Sequence, residues 1–243
     1  MMEDKITIVT ISYNAEKTIE ATIKSVVNQT YSNIEYIIID GYSKDKTVEI
    51  IKNYSDKVSY WISEPDKGIY DAMNKGIMKA TGDWILFMNS GDTFSHKNII
   101  KDVFSNPIPE YIYIIYGAYQ TKNGNTISDP IPPRPIKNMM YEMAFCHQSC
   151  FVKTSIMKDN LFNLEYKIAA DYNFFRHLYV KYGNKIFHNT VFSISYFDIS
   201  DSFSQNNVNL LRKEYCKIRG IKGIIYWIVK KIRQYTNEFL NHN

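Results

Sequence analysis

A mixed, mainly parallel β-sheet flanked by α-helices is the fold predicted by the sequence, on three observations. Short β-branched runs alternate with segments of helical spacing through the first ninety residues. Polar residues recur directly after the apolar runs, where open α/β sheets present ligand-binding groups. The length, 243 residues with 45% apolar and 15% aromatic side chains, suits one substantial core with a short appendage.

Lys5–Ile11 (KITIVTI) is fit for a buried parallel strand, and Ser12–Asn14 breaks it. Ala15–Asn28 then carries Ile19, Ile23, Val26 and Val27 at helical spacing, closing a strand-loop-helix unit. The unit recurs. Ile34–Asp40 is a second strand ending in a carboxylate, Gly41–Lys46 a turn, and Thr47–Tyr54 a helix; Val58–Ile62 is a third strand, Glu64–Gly68 a break, and Ile69–Ala80 a helix. Trp84–Met88 is a fourth strand and runs into Asn89-Ser90-Gly91-Asp92. Repeated crossovers of this kind imply right-handed connections in a parallel sheet, with Asp40 and Asp92 on one rim. The second half is less regular: an aromatic strand Tyr111–Tyr116, a proline-rich loop Pro130–Pro135, a short strand around Gln148–Val152, and a helix Asp171–Tyr182.

Composition excludes several classes. No run of eighteen uncharged apolar residues exists, and the acidic start MMEDKITIVTISYN is unlike a signal peptide, so a cytoplasmic location is expected. Cys146, Cys150 and Cys216 make neither an even set nor a CxxC pair, which points to reduced, structural thiols. The net charge of +4 is unevenly spread: between Arg212 and Arg233 eight bases face the single acid Glu214, leaving a slightly acidic body.

Neither a GxGxxG nor a GxxxxGK[ST] loop follows the first strand, which argues against a dinucleotide site or a P-loop. A divalent cation held by strand-end carboxylates is the usual substitute, because it bridges phosphate oxygens and cancels their charge. Asp92, on a glycine-containing turn after an apolar strand, has the chemistry for it.

Five segments, ITIVTISYN, SVVNQTYSNIEYIIIDGYSKDKT, ISEPDKGIYDAMNKGIMKATGDWILFMNSGD, CHQSCF and AADYNFF, together resemble the family 2 glycosyltransferases of the GT-A fold, over roughly residues 5–200. Similarity is greatest to bacterial enzymes of capsule, exopolysaccharide and O-antigen assembly. The resemblance implies a Rossmann-like GT-A domain over residues 1–205, with a nucleotide-binding half (1–95) and an acceptor-binding half (96–205). It places Thr10, Ser12 and Tyr13 beside the nucleotide, and Asp40 as acceptor for the ring N–H of a base, which favours uracil; the alternative for Asp40 is a turn or helix-capping aspartate. Asp66 would lie near the nucleotide, Asp71 and Asn74 near ribose or sugar, and Lys75 near phosphate, although the same spacing also describes a solvated helix face. Asn89, Ser90, Gly91 and Asp92 occupy the place of the D-x-D metal motif, with Asn89 replacing the first acid and Asp92 left as the Mg²⁺ or Mn²⁺ ligand. Asp171 falls where the family places its catalytic base, a position that also suits an N-cap. His147 and Gln148 belong to the acceptor side, and His188 and the Tyr196–Asp198 turn are weaker candidates.

Residues 206–243 are expected to form a basic amphipathic helical tail. Ile221, Ile224, Ile225, Ile228, Val229 and Ile232 make one apolar stripe flanked by Lys222, Lys230, Lys231 and Arg233. Such a helix can lie on an anionic membrane surface, and it can equally pack on its own domain or on a second subunit, so a homo-oligomer stays open. Nucleic acid is excluded as a partner, since no aromatic and basic reading surface occurs elsewhere.

The resulting expectation is an inverting enzyme that moves a single sugar from a UDP-sugar to the hydroxyl of a lipid-linked saccharide on the inner face of the plasma membrane, in surface polysaccharide synthesis. The absence of QxxRW argues against a processive synthase. Two rivals remain at this level: a sugar nucleotidyltransferase, whose glycine-rich loop SYNAEKT lacks, and a nucleotide-sugar-binding protein without turnover.

Overall fold

The computed structural model describes residues 3–200 and 206–220, together with Ile225 and Val229. Strand β1 (Ile6–Ser12), helix α1 (Ile19–Val27), β2 (Ile34–Asp40), α2 (Thr47–Lys52), β3 (Tyr60–Ser63), α3 (Ile69–Lys79) and β4 (Trp84–Phe87) follow the expected alternation. After them come β5 (Thr93–Phe94), α4 (Ile99–Val103), β6 (Ile114–Asn123), β7 (Thr126–Ile127), β8 (Cys150–Lys153), α5 (Thr154–Asp159), α6 (Ala170–Tyr182) and β9 (Phe187–Asp198). Residues 208–220 form a further helix, α7.

These strands make one sheet in the order β3-β2-β1-β4-β8-β6-β9-β5, with β7 on β6. The first four run parallel, β8 is antiparallel to β4 and β6, and β9 is parallel to β6. From β1 the chain moves outward to β2 and β3, then returns to place β4 on the other side of β1. Strand order therefore reverses between β1 and β4, and the carboxyl ends there open the crevice in which α/β sheets bind ligands. Ser12, Asp40 and the turn after β4 stand on this rim.

All seven β1 residues are buried, as a strand covered on both faces requires. Alternation divides them: Ile6 and Ile8 join the core with Ile19 and Ile23 of α1, whereas Val9 and Ile11 join the core with Met73 and Ile77 of α3 and Phe174 of α6. Helix α3 reaches β1 because residue 76 is glycine; a Cβ there would meet Val9 Cγ1 at 2.5 Å. At the opposite end of the sheet, buried Glu35 accepts from Thr7 Oγ1 (2.7 Å), Thr81 N (2.7 Å) and Lys5 Nζ (3.0 Å). Burial alone would raise its pKa, but the donors of Thr81, Thr7 and Lys5 outweigh it and draw the carboxyl down to about 2.

Three differences from the sequence expectation have physical causes. Strand β6 starts after Tyr113, since Ile112 N is tied into a turn by Pro109 O, and it then runs for ten residues to Asn123. The twelve-residue β9 was not expected, because FHNTVFSISYFD mixes polar and apolar residues instead of forming an apolar run, and Val191 in it is 92% exposed. Helix α7 is docked rather than detached: Tyr215 and Ile218 pack on the main core and Glu214 is buried. The amphipathic stretch 221–233 lies outside the described residues except for Ile225 and Val229. Among the described residues no helix is long and apolar enough to cross a membrane.

Candidate active site

At the β2 end of the crevice Asp40 is fully buried. Its Oδ1 accepts from Ser12 Oγ (2.9 Å) and Ser43 Oγ (2.5 Å), and its Oδ2 from Ser43 N (3.0 Å) and Ser63 Oγ (2.6 Å). One carboxylate thus ties the ends of β1, β2 and β3. Beside it, Asp66 accepts from Gly68 N (2.8 Å) and lies over Gly41, where a Cβ would stand 2.5 Å from Asp66 Oδ2 and 3.4 Å from Tyr13 Cδ2. Tyr13, 67% exposed, is the open aromatic face of this corner. Thr10 is a correction to the expected nucleotide set: strand alternation turns it into the α1-side core, where its hydroxyl meets Tyr36 OH at 3.0 Å and none of its surface is exposed.

The turn after β4 is held from two sides. Ser90 Oγ donates to Ile11 O (3.0 Å), and Thr22 of α1 accepts from Gly91 N (3.0 Å) and donates to Asp92 O (2.8 Å). Gly91 has φ +104°, a backbone conformation that favours glycine, and Asp198 packs directly against it, its Cβ 3.3 Å from where a Cβ on residue 91 would stand. Buried Asp92 accepts from Gln148 Nε2 (3.1 Å) and Asp198 N (2.9 Å). Desolvation pushes its carboxyl up to about 7, offset only in part by the Asp198 N–H, His147 and Gln148. Gln148, expected on the acceptor side, is therefore a support for Asp92 and is itself buried.

Could a divalent cation sit here? Asn89 Oδ1 is a buried acceptor without a hydrogen-bond partner, on the same turn as Asp92, and Asp198 adds a second carboxylate. These are hard oxygen donors of the kind that Mg²⁺ and Mn²⁺ take. No cluster of three or more His, Cys, Asp or Glu occurs among the described residues. The residues thus fit a cation that draws its remaining ligands from a diphosphate and water.

Across the crevice, Asp171 stands in the first turn of α6. Its Oδ2 lies 3.2 Å from His147 Nδ1, and its Oδ1 accepts from Tyr70 OH (3.0 Å) and Tyr172 N (2.8 Å). Burial would raise its pKa, but His147, Tyr172 N–H and Tyr70 prevail and hold it below the ordinary aspartate value. Burial and the Asp171 charge push the Tyr70 phenol well up, so it stays a donor. The other imidazole nitrogen, Nε2, is 3.4 Å from Asn89 Nδ2. Asp171, His147 and Asn89 therefore form one polar chain linking α6 to the turn that carries Asp92.

The Glycosyl transferase family 2 model matches residues 7–159. The chain belongs to glycosyltransferase family 2. An uncharacterized glycosyltransferase of Mycobacterium tuberculosis is 34% identical over 174 residues, covering 70% of this chain and 66% of that protein, so the match spans just under two thirds of that relative. Among solved structures, Staphylococcus aureus TarS in complex with UDP superposes with a TM-score of 0.64 at 22% identity, over 86% of this chain and 63% of that one. Glucosyl-3-phosphoglycerate synthase of M. tuberculosis with Mn²⁺, UDP and phosphoglyceric acid gives a TM-score of 0.64 at 13% identity, over 90% and 79%. The fold they share is GT-A.

In this family 2 glycosyltransferase Ser12, Tyr13, Asp40 and Asp66 stand together at the end of β2, and Asn89, Ser90, Gly91 and Asp92 share the turn after β4 that His147 links to Asp171. Asp71, Asn74 and Lys75 lie on α3, where they line a groove of about 450 Å³ against Ile39, Tyr60, Ile62 and Glu64, and Lys75 Nζ donates to Pro65 O (2.9 Å) beside Asp66. There the Asn74 amide is used up by Phe162, donating to its carbonyl and accepting its N–H (2.9 Å each), and Lys75 pairs with Glu64 at 2.8 Å. Asp71 accepts from Lys67 N at 2.9 Å. Sequence reasoning missed Tyr70, Thr22 and Glu214, and it ranked Asp198 low; each acts across a long sequence separation that no local pattern reports. His188 is exposed at the far end of β9 from Asp198. The three cysteines are free thiols.

Proposed function

We propose that the protein transfers one sugar from a UDP-sugar to a saccharide hydroxyl with inversion at the anomeric carbon. The observation that carries this reading is Asp171, a partly exposed carboxylate kept ionised by His147, Tyr70 and Tyr172 N–H and joined through His147 to the Asn89–Asp92 turn. Uracil would lie over Tyr13 and Asp40, and the diphosphate would extend toward Asp92. The acceptor oxygen attacks the anomeric carbon opposite the diphosphate. As the new C–O bond forms, the bond to the phosphate oxygen breaks, UDP leaves with the electron pair, and the hydroxyl proton passes to Asp171. A base of low pKa suffices, because that hydroxyl becomes strongly acidic as its oxygen bonds to carbon. Asp92, Asp198 and Asn89 would hold the divalent cation, whose chemistry is to neutralise the diphosphate charge. Proton NMR of the product made from an α-linked donor is expected to show a β-anomeric coupling; an α-linked product would contradict this mechanism.

The basic, amphipathic stretch 221–233 supports a lipid-linked acceptor at the inner membrane surface, as in surface polysaccharide assembly. At low salt the protein should sediment with vesicles containing anionic lipid and remain in the supernatant with neutral ones; equal behaviour in both would remove the membrane assignment.

A further inference from the structure

We propose that Glu214, on α7, is a positioning residue for Asp171, so that a helix outside the catalytic sheet is part of what makes the site competent. The inference rests on Asp171 being the base.

Glu214 is the only acid among the eight bases of 212–233, and its surroundings explain why it is there. It is 8% exposed, and its carboxylate accepts three successive backbone donors: Lys167 N (2.7 Å) on Oε1, and Ile168 N and Ala169 N (3.0 Å each) on Oε2. Ala169 is the N-cap of α6, and it supplies no side-chain cap. Asp171 follows two residues later. A buried N–H without an acceptor is costly, and charge-assisted bonds to a carboxylate are among the stronger ones available, so Glu214 fixes where α6 begins. It does the work of a helix cap from 45 residues away in sequence.

The neighbouring residues brace the same joint. Tyr215 stacks on Tyr172 with ring centroids 4.3 Å apart and planes 7° from parallel, and the Arg219 guanidinium lies 4.6 Å over the Tyr215 ring. Tyr172 is the residue whose backbone N–H donates to Asp171 Oδ1. Helix α7 therefore grips the first turn of α6 on both sides of Asp171. By contrast, its other ionic tie to this region, Lys217 to Glu165 at 3.2 Å, is exposed, and such pairs contribute little.

Loss of the Glu214 carboxylate frees the three donors to seek water and lets the 167–169 segment move, and with it Asp171 relative to His147 and Tyr70. Displacement of a reacting group by about 1 Å can cost on the order of a hundredfold in rate. The effect should fall on the chemical step, since none of the donor-side residues Tyr13, Asp40 or Asp92 is touched.

The test is a double-mutant cycle with Glu214→Gln and Asp171→Asn, reading kcat, donor KM and UDP affinity. Glu214→Gln is expected to lower kcat by roughly 10- to 100-fold, with donor KM and UDP affinity within about twofold. In the Asp171→Asn background the same change should alter kcat by less than about twofold, because the group it positions no longer works as a base. Glu165→Gln, the exposed control on the same joint, should leave kcat unchanged. Equal effects of Glu214→Gln in both backgrounds, or a parallel loss of kcat and UDP affinity, would overturn the positioning role while leaving Asp171 as the base. Full activity of Asp171→Asn would instead overturn the base itself. If Glu214→Gln does not fold, Glu214→Asp keeps the charge but retracts it by one methylene, and the same split between lowered kcat and retained donor KM is expected; unchanged kcat in that variant would count against the proposal.

Discussion

Asp171→Asn is expected to reduce kcat by roughly 10²- to 10⁴-fold, the usual contribution of a general base, while UDP affinity stays within about twofold. Asparagine fills the same space and can still accept from Tyr172 N–H and Tyr70 OH, so the fold around α6 is retained and the loss is chemical. Steady-state rates set beside calorimetric UDP affinity separate the two. In the unsubstituted protein, the lowered pKa of Asp171 has a further consequence: the base loses its charge only below the ordinary aspartate value of 3.8. In an Asp92→Asn background, where the other site carboxyl no longer titrates, any acid limb of the residual kcat/KM should therefore lie below that value.

The second large effect is expected at Asp92. Its replacement by asparagine removes the buried charge that a cation would neutralise and is expected to lower transfer by about a hundredfold or more, to abolish stimulation by Mn²⁺, and to leave metal-free UDP binding nearly unchanged. Stability should respond differently from activity. A carboxyl whose folded pKa is raised to about 7 favours folding below its unfolded value, and that contribution is lost as pH rises through 7. At pH 8 the Asp92→Asn protein is therefore expected to melt no lower than the unsubstituted one. A variant that lost both activity and stability would point to a structural role for Asp92 alone.

Much of the first ninety residues was legible in the sequence because the strands there are continuous apolar runs. ITIVTI, IEYIIID and WILF form strands buried on both faces, each ending in a polar break that falls on the rim. Asp40 could be singled out because it ends such a strand, Asp92 because it closes the polar turn after one, in the place of the family's metal motif, and Asp171 because it matches the family's base position at a helix start. What the sequence could not display is the partner of each carboxylate. Gln148 looked like an acceptor-side residue from its neighbour His147, yet the 3-10 turn His147–Ser149 sends the two side chains to different acids, His147 to Asp171 and Gln148 to Asp92. Thr10 looked like a rim residue because Ser12 is one, and period two does put both on one face, but Thr10 lies two residues deeper in the strand, where its hydroxyl meets Tyr36. Asn74 had the spacing of a solvated or ligand-facing helix residue, and its clamp on Phe162 bridges 88 positions. The second half was hardest, since β9 has no apolar run and α7 carries a mostly basic sequence whose one acid is the residue that docks it.

The proposed function requires that a nucleotide bind at the β1, β2 and β4 ends. Calorimetric titration with UDP in the presence of Mn²⁺ is expected to show one site per chain, weakened by Asp40→Ala and unaffected by Asp171→Asn. A folded protein that releases no binding heat with UDP at millimolar concentration, with or without Mn²⁺, would contradict it.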